Sequence, residues 1–137
     1  MKINKEMYEK ALEIATKAHE GQKRWNGDDY IIHPIRIANS FKDYKLKIIA
    51  ILHDVVEDSN VSVLDLLEYF PIEIIHPLKT LTHYENESYA GYIHNIKRMS
   101  IEACQVKVQD LIDNLEDLKK GHHRDKYELA LYYLERE

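Results

Sequence analysis

From residue 46 to residue 56 the chain is apolar on nearly every side of a helix: Leu46, Ile48, Ile49, Ala50, Ile51, Leu52, Val55 and Val56 leave no continuous polar face. Such a helix has to be enclosed by other protein, because a single neighbour covers only one stripe of its surface. The pattern predicts a central helix over residues 46–58 and requires the rest of the chain to wrap it. What is available for wrapping is also helical. With four glycines and three prolines there is little material for hairpin turns, and the apolar spacing follows a 3.6-residue period almost throughout.

The spacing predicts a first helix over residues 5–20, with Tyr8, Leu12, Ala15 and His19 on one side and Gly21 as its stop. Residues 21–32 contain Asn-Gly-Asp-Asp and read as a loop, after which Pro34 suits a first helical position and puts His33 at the helix entrance. Further helices are expected over 63–69, from near Pro71, over 88–99, over 101–119 and over 125–136, with Gly121 separating the last two. The expected architecture is all-α, a compact bundle of about eight helices.

At 137 residues, 45% of them hydrophobic, residues 1–137 fit one domain with its own core. A formal charge of −5 gives no global field that would attract nucleic acid or an anionic membrane, so a phosphate-bearing ligand has to be held locally. Cys104 is the only cysteine and cannot close an intramolecular disulfide, and the first residues carry charges where a signal peptide is apolar. No apolar run approaches the roughly 20 residues of a membrane-spanning helix. These features lead to the expectation of a soluble, cytoplasmic protein.

The central helix departs from its own pattern at His53, Asp54, Glu57 and Asp58, four ionisable side chains closing an otherwise buried segment. Burying such groups is costly unless they reach water or meet a compensating cation. The plain reading is a solvated helix end. Residues 106–119 carry an apolar stripe of Val108, Leu111, Ile112, Leu115 and Leu118 beside a polar ridge of Lys107, Asp110, Asn114 and Asp117. Periodicity alone does not single out Asp110 there, and Asp113 and Glu116 are equal candidates. Two imidazoles and two carboxylates form a nitrogen and oxygen set that suits Mn, Fe or Zn better than Ca. Adjacent His53 and Asp54 share one ion only if the helix end points into a pocket.

At the level of motifs the chain resembles the hydrolase domain of the RelA/SpoT-type alarmone enzymes, particularly the stand-alone small hydrolases similar to the metazoan SpoT homologue. The stretch from Ala15 to Pro34, ATKAHEGQKRWNGDDYIIHP, is similar to that family's AH-x-GQ-x-R segment followed by G-x-x-Y-I-x-HP. HDVVEDS, from His53, is close to HDVVEDT, and KVQDLIDN, from Lys107, resembles KLADRxxN. Three ordered motifs make a specific signal.

The resemblance implies an HD-domain phosphohydrolase fold and removal of the 3′-diphosphate from guanosine tetra- or pentaphosphate as pyrophosphate. It implies a divalent metal, usually manganese, on His33, His53, Asp54 and Asp110. It casts Glu57 and Asp58 as the acids that position and activate water, Arg24 as a neighbour of the base and Asn114 as a ribose contact. Lys107, on the ridge with Asp110, is grouped with these substrate contacts. The expected partner is a small phosphorylated nucleotide. Another nucleotide or cofactor such as NADPH, or a silent nucleotide-binding module, are the alternatives.

Departures from the motifs carry their own expectations. Trp25 stands where a basic residue is common, and Asp113 and Asp117 replace residues often neutral or basic, adding negative charge that should weaken binding of an anionic substrate unless something offsets it. Lys97 and Arg98 are candidate phosphate contacts. Trp25, the single tryptophan, reads first as a packing anchor. Tyr127, Tyr132 and Tyr133 are expected to pack the last helix or an oligomer contact, and His76, His83, His94, His122 and His123 to be surface or structural residues.

Overall fold

A computed structural model describes residues 1–118 and 122–136. The all-helical class holds. Among the described residues there are nine helical segments, and the closest approach to a strand is an isolated bridge between Lys23 and Asp29. They are α1 (Lys5–Ala18), α2 (Ile32–Asn39), α3 (Tyr44–Leu52), α4 (Val55–Asp58), α5 (Val63–Leu67), α6 (Ile72–Leu81), α7 (Tyr89–Met99), α8 (Ile101–Asp117) and α9 (His122–Glu135). The separator expected at Gly121, the run of the preceding helix to Lys119 and the side chain of His122 lie outside the described residues.

Short polar residues start most of these helices. Asn4, Asp43, Ser88 and Ser100 each accept a backbone N–H from the first turn that follows, and Ser62 with Asp65 forms a reciprocal capping box. At the other end of α8, Arg124 donates to the carbonyls of Leu115 and Leu118, tying α9 to acceptors that the helix itself leaves open.

The central element is α3. Ile48, Ile49, Ala50, Ile51 and Leu52 are all at 0% exposure, and α1, α2, α6 and α8 pack around them. Each such side chain contributes about 1.5–3 kcal/mol by leaving water, apart from the small Ala50. The helix is shorter than its sequence suggests. It stops at Leu52, where the backbone N–H and the imidazole Nδ1 of His53 both turn back to the carbonyl of Ala50, at 3.4 and 2.6 Å. A side chain that takes a backbone acceptor competes with the helix for it. Asp54 follows at φ −106°, ψ −1°, and α4 restarts for a single turn, closed by the Ser59 hydroxyl on the Val55 carbonyl. One expected helix thus becomes two, which accounts for nine segments instead of about eight. No helix among the described residues is long and apolar enough to cross a membrane.

Candidate metal centre

The break between α3 and α4 aims two consecutive side chains at one point. On an uninterrupted helix, neighbours diverge by about 100°; here His53 Nε2 lies 2.9 Å from Asp54 Oδ2. His33, in the first turn of α2, faces the same point from the other side, with its ring 5.5 Å from that of His53. His33, His53 and Asp54 each offer a ligand atom within 4.8 Å of the others. Asp110, from the middle of α8, reaches in with Oδ1 at 2.8 Å from His33 Nε2 and 3.4 Å from His53 Nε2. The four residues expected as ligands are therefore neighbours, although they come from three separate stretches of chain.

Whether these residues suit a cation is decided by their charges. His33, His53 and Asp110 are buried, at 1%, 4% and 4% exposure. Burial disfavours protonated His53, yet the carboxylates of Asp54 and Asp110 hold its imidazole well above the usual range. Conversely, burial would raise Asp54, but the His53 charge beside it pulls its carboxyl down to about 2. Asp110 is held low against burial by Lys107 first and then by His53. Apart from Lys107 at Asp110, the protein's own atoms thus balance this site by keeping protons on imidazoles. A divalent cation would provide the same compensation with neutral imidazoles, the form that binds metal. His53 Nε2 points the same way, since it is buried and has no hydrogen bond of acceptable geometry despite the nearby carboxylates. The donor set therefore fits a divalent ion.

Around the cluster lies a layer that orients it. Tyr30 donates its hydroxyl to Asp54 Oδ2, and burial together with the negative charge of Asp54 raises the phenol far above its normal range, keeping that proton in place. Lys107 Nζ bonds Asp110 Oδ2 at 2.9 Å, and Asn114 Nδ2 donates to Asp110 Oδ1 at 3.3 Å. Buried His19 packs its ring 4.8 Å from that of Tyr30 and bonds Gln22 at 2.8 Å through Nδ1. Helical spacing marked His19 as a core position but gave no hint of its proximity to the site.

The other two acids sit on the rim. Glu57 and Asp58 are exposed on α4. Glu57 Oε1 accepts the backbone N–H of His83 from the connector between α6 and α7, and partial dehydration raises its carboxyl. Partial dehydration, then the charges of Asp54 and Glu57, push the Asp58 carboxyl up to about 6. His83, expected to be structural, anchors Glu57 through its backbone and bonds the Glu87 carbonyl through its ring at 2.7 Å.

The surroundings of the remaining candidates differ from residue to residue. Asp113 and Asp117 do not present uncompensated charge: Arg36 grips Asp113 through two nitrogens at 2.8 and 3.1 Å and reaches Asp117 at 3.2 Å, while Arg24 lies 3.3 Å from Asp117 and 3.7 Å from Asp113. Arg24 itself is buried, its side chain 1% exposed, and it also donates to Asn114. Trp25 is not a packing anchor, since it is 56% exposed with its ring 4.6 Å from the Arg24 guanidinium. Lys97 is engaged by the last helix, donating to the Tyr133 carbonyl at 2.7 Å and lying over its ring. Tyr127 and Tyr133 pack against the core, whereas Tyr132 is 63% exposed. Sequence reasoning missed Arg36 and Tyr30 as parts of the site. Arg36 stands three residues after His33 on one helix, a spacing that shares a face and could have flagged it.

No family model matches the chain. It is 39% identical over 98 residues to a Borreliella burgdorferi protein named guanosine-3′,5′-bis(diphosphate) 3′-pyrophosphohydrolase, covering 69% of this chain and 14% of that protein. It is 35% identical over 130 residues to a Mycobacterium leprae protein named a probable GTP pyrophosphokinase, covering 86% of this chain and 16% of that one. The chain therefore spans about a sixth or less of the length of these relatives. A solved structure described as a metazoan ortholog of SpoT that hydrolyzes ppGpp superimposes with a TM-score of 0.79 at 22% identity, over 98% of this chain and 86% of that one.

Proposed function

We propose that this chain, a relative of the guanosine-3′,5′-bis(diphosphate) 3′-pyrophosphohydrolases carrying a SpoT-type HD fold, is a divalent-metal-dependent phosphohydrolase that converts guanosine tetra- or pentaphosphate and water to GDP or GTP and pyrophosphate. The observation that carries the reading is the convergence of His33, His53, Asp54 and Asp110, with His53 Nε2 buried and lacking a hydrogen bond. These four residues would hold the metal, with Mn2+ as the assigned ion. When bound, such an ion polarises a phosphoryl oxygen and brings the pKa of water towards neutrality.

The chain's own residues do the rest. Tyr30 fixes the orientation of Asp54 by hydrogen bonding to one of its oxygens. Glu57, held by the His83 backbone, orients the attacking water, and Asp58, with a carboxyl near 6, takes its proton. Lys107 and Asn114, both bonded to Asp110, border the site and are assigned to the substrate's phosphate and ribose. The water-handling acids argue for an enzyme over a silent binding module, which has no use for them.

A second substrate reading, a different phosphorylated nucleotide or cofactor such as NADPH, rests on one observation. Arg24, expected beside a guanine, has its guanidinium buried against Asp113, Asp117 and Asn114, and the surface that its loop offers is Trp25. An Mn2+-supplemented assay on guanosine tetraphosphate, with GTP, NADPH and deoxynucleotides in parallel and Asp54→Ala as control, tests both. Selective pyrophosphate release from the tetraphosphate, lost in the control, is the expected result. Metal-dependent turnover of another nucleotide alone would replace the substrate, and silence across all of them would defeat the enzyme reading.

A further inference from the structure

The imidazole of His33 is held from both sides. Its Nε2 faces the cluster, and its Nδ1 lies 2.6 Å from Asp113 Oδ2, a carboxylate one turn along α8 from Asp110. Asp113 is 9% exposed, and both of its oxygens are occupied. Oδ1 accepts from Arg36 Nε at 2.8 Å, and Oδ2 accepts from Arg36 at 3.1 Å with Arg24 at 3.7 Å beside it. Asp117 completes the group by bridging the two guanidinium groups at 3.2 and 3.3 Å. Two positive and two negative charges offset one another, so the arrangement adds no net charge beside the site. What it adds is direction.

We propose that Asp113 is a positioning residue for the metal ligand His33, and that Arg36 and Arg24 are the brace that keeps Asp113 in place. The inference rests on the metal-centre reading above. A carboxylate accepting the Nδ1 proton commits an imidazole to a single tautomer with its Nε2 lone pair available to a cation, and it raises the donor strength of that nitrogen. A two-point grip by arginine fixes the plane of the carboxylate as a lysine could not. Asp113 is not itself a ligand candidate, because it lies on the Nδ1 side of the ring and its oxygens are already spoken for. The role explains why a helix ridge with several acids supplies one residue to the cluster and another behind it.

The test is Mn2+ affinity of the purified chain, measured by competition with a chromophoric chelator, beside the thermal midpoint of the metal-free protein and the visible spectrum of the Co2+-loaded form. Asp113→Asn keeps the shape and removes the charge; it should stay folded, bind Mn2+ about 10- to 100-fold more weakly and shift the Co2+ bands, which respond to the His33 bond. Arg36→Met should lose part of that affinity, and adding it to Asp113→Asn should cost nothing more, because it acts through Asp113. Wild-type affinity and spectrum in folded Asp113→Asn would overturn the brace alone. Should Asp113→Asn not fold, unchanged affinity in Arg36→Met does the same. Failure of the wild-type chain to take up Mn2+ would overturn the metal centre and the brace with it.

Discussion

The two sides of the candidate centre are built on opposite principles. On the α2–α8 side His33, Asp110 and Asp113 are buried and fully engaged, and Arg36 and Arg24 neutralise what the acids bring. On the α4 rim Glu57 and Asp58 are exposed, on a helix of a single turn, with carboxyls raised and not lowered. The first arrangement suits holding a cation in a fixed place. The second suits a group that must change its protonation state at each turnover. The difference teaches that acids of one cluster can be suited to two purposes when their surroundings push their proton affinities apart.

Substitutions on each side should therefore fail in different ways. Asp54→Ala, at the junction, should abolish both Mn2+ uptake and turnover; retained turnover would refute the ligand assignment. Asp58→Asn should keep the metal and lose about 10²- to 10⁴-fold in rate, so that loss of metal in this variant would erase the distinction between the sides. On the buried side, Arg24→Met removes a cation from a pair that is almost wholly out of water and should cost about 3 kcal/mol in denaturant unfolding. A change near zero would mean that Arg24 is free to serve a substrate instead.

The pH dependence sharpens the contrast because its sign differs between the sides. Burial opposes the ionisation of Asp113, but His33 and Arg36 outweigh it and hold its carboxyl at about 2, below the unfolded value of 3.8. The unfolded chain then binds more protons, so this group's stabilisation is present above pH 3.8 and disappears as pH falls through about 2. Asp58 is the reverse: its carboxyl at about 6 means that stability declines as pH rises from 3.8 towards 6. In metal-free protein, Asp113→Asn should flatten the acid limb of the melting curve, and Asp58→Asn should melt slightly above wild type at pH 7. A cation near Asp58 favours its carboxylate, so the acid limb of kcat/KM is expected at or below pH 6. The smallest effect belongs to exposed Trp25: Trp25→Ala should move stability by no more than about 0.5 kcal/mol, while a raised KM with unchanged kcat would favour base stacking there.

Much of the fold was legible in the chain. The apolar circumference of residues 46–52 demanded a central helix, and helices expected from near residues 5, 63, 88 and 101 begin there in the structure, behind the caps Asn4, Ser62, Ser88 and Ser100. The residues of the centre were nameable only through motif resemblance, since periodicity did not separate Asp110 from Asp113. Their division of labour was not legible, because both lie on the inner face of α8 and the choice depends on which side of the His33 ring each one meets.

By itself, then, the sequence determined helix class, core stripe and the identity of candidate ligands, because these depend on local period and on short motifs. Only the tertiary structure decided that Arg24 is buried, that Asp113 backs His33, that Trp25 faces solvent and that the helix breaks at His53 to aim two consecutive side chains inward. The burial of Arg24 and the backing of His33 by Asp113 depend on contacts across about 80 to 90 positions of chain, and hydrophobic periodicity carries no information about which polar group will meet which across that span.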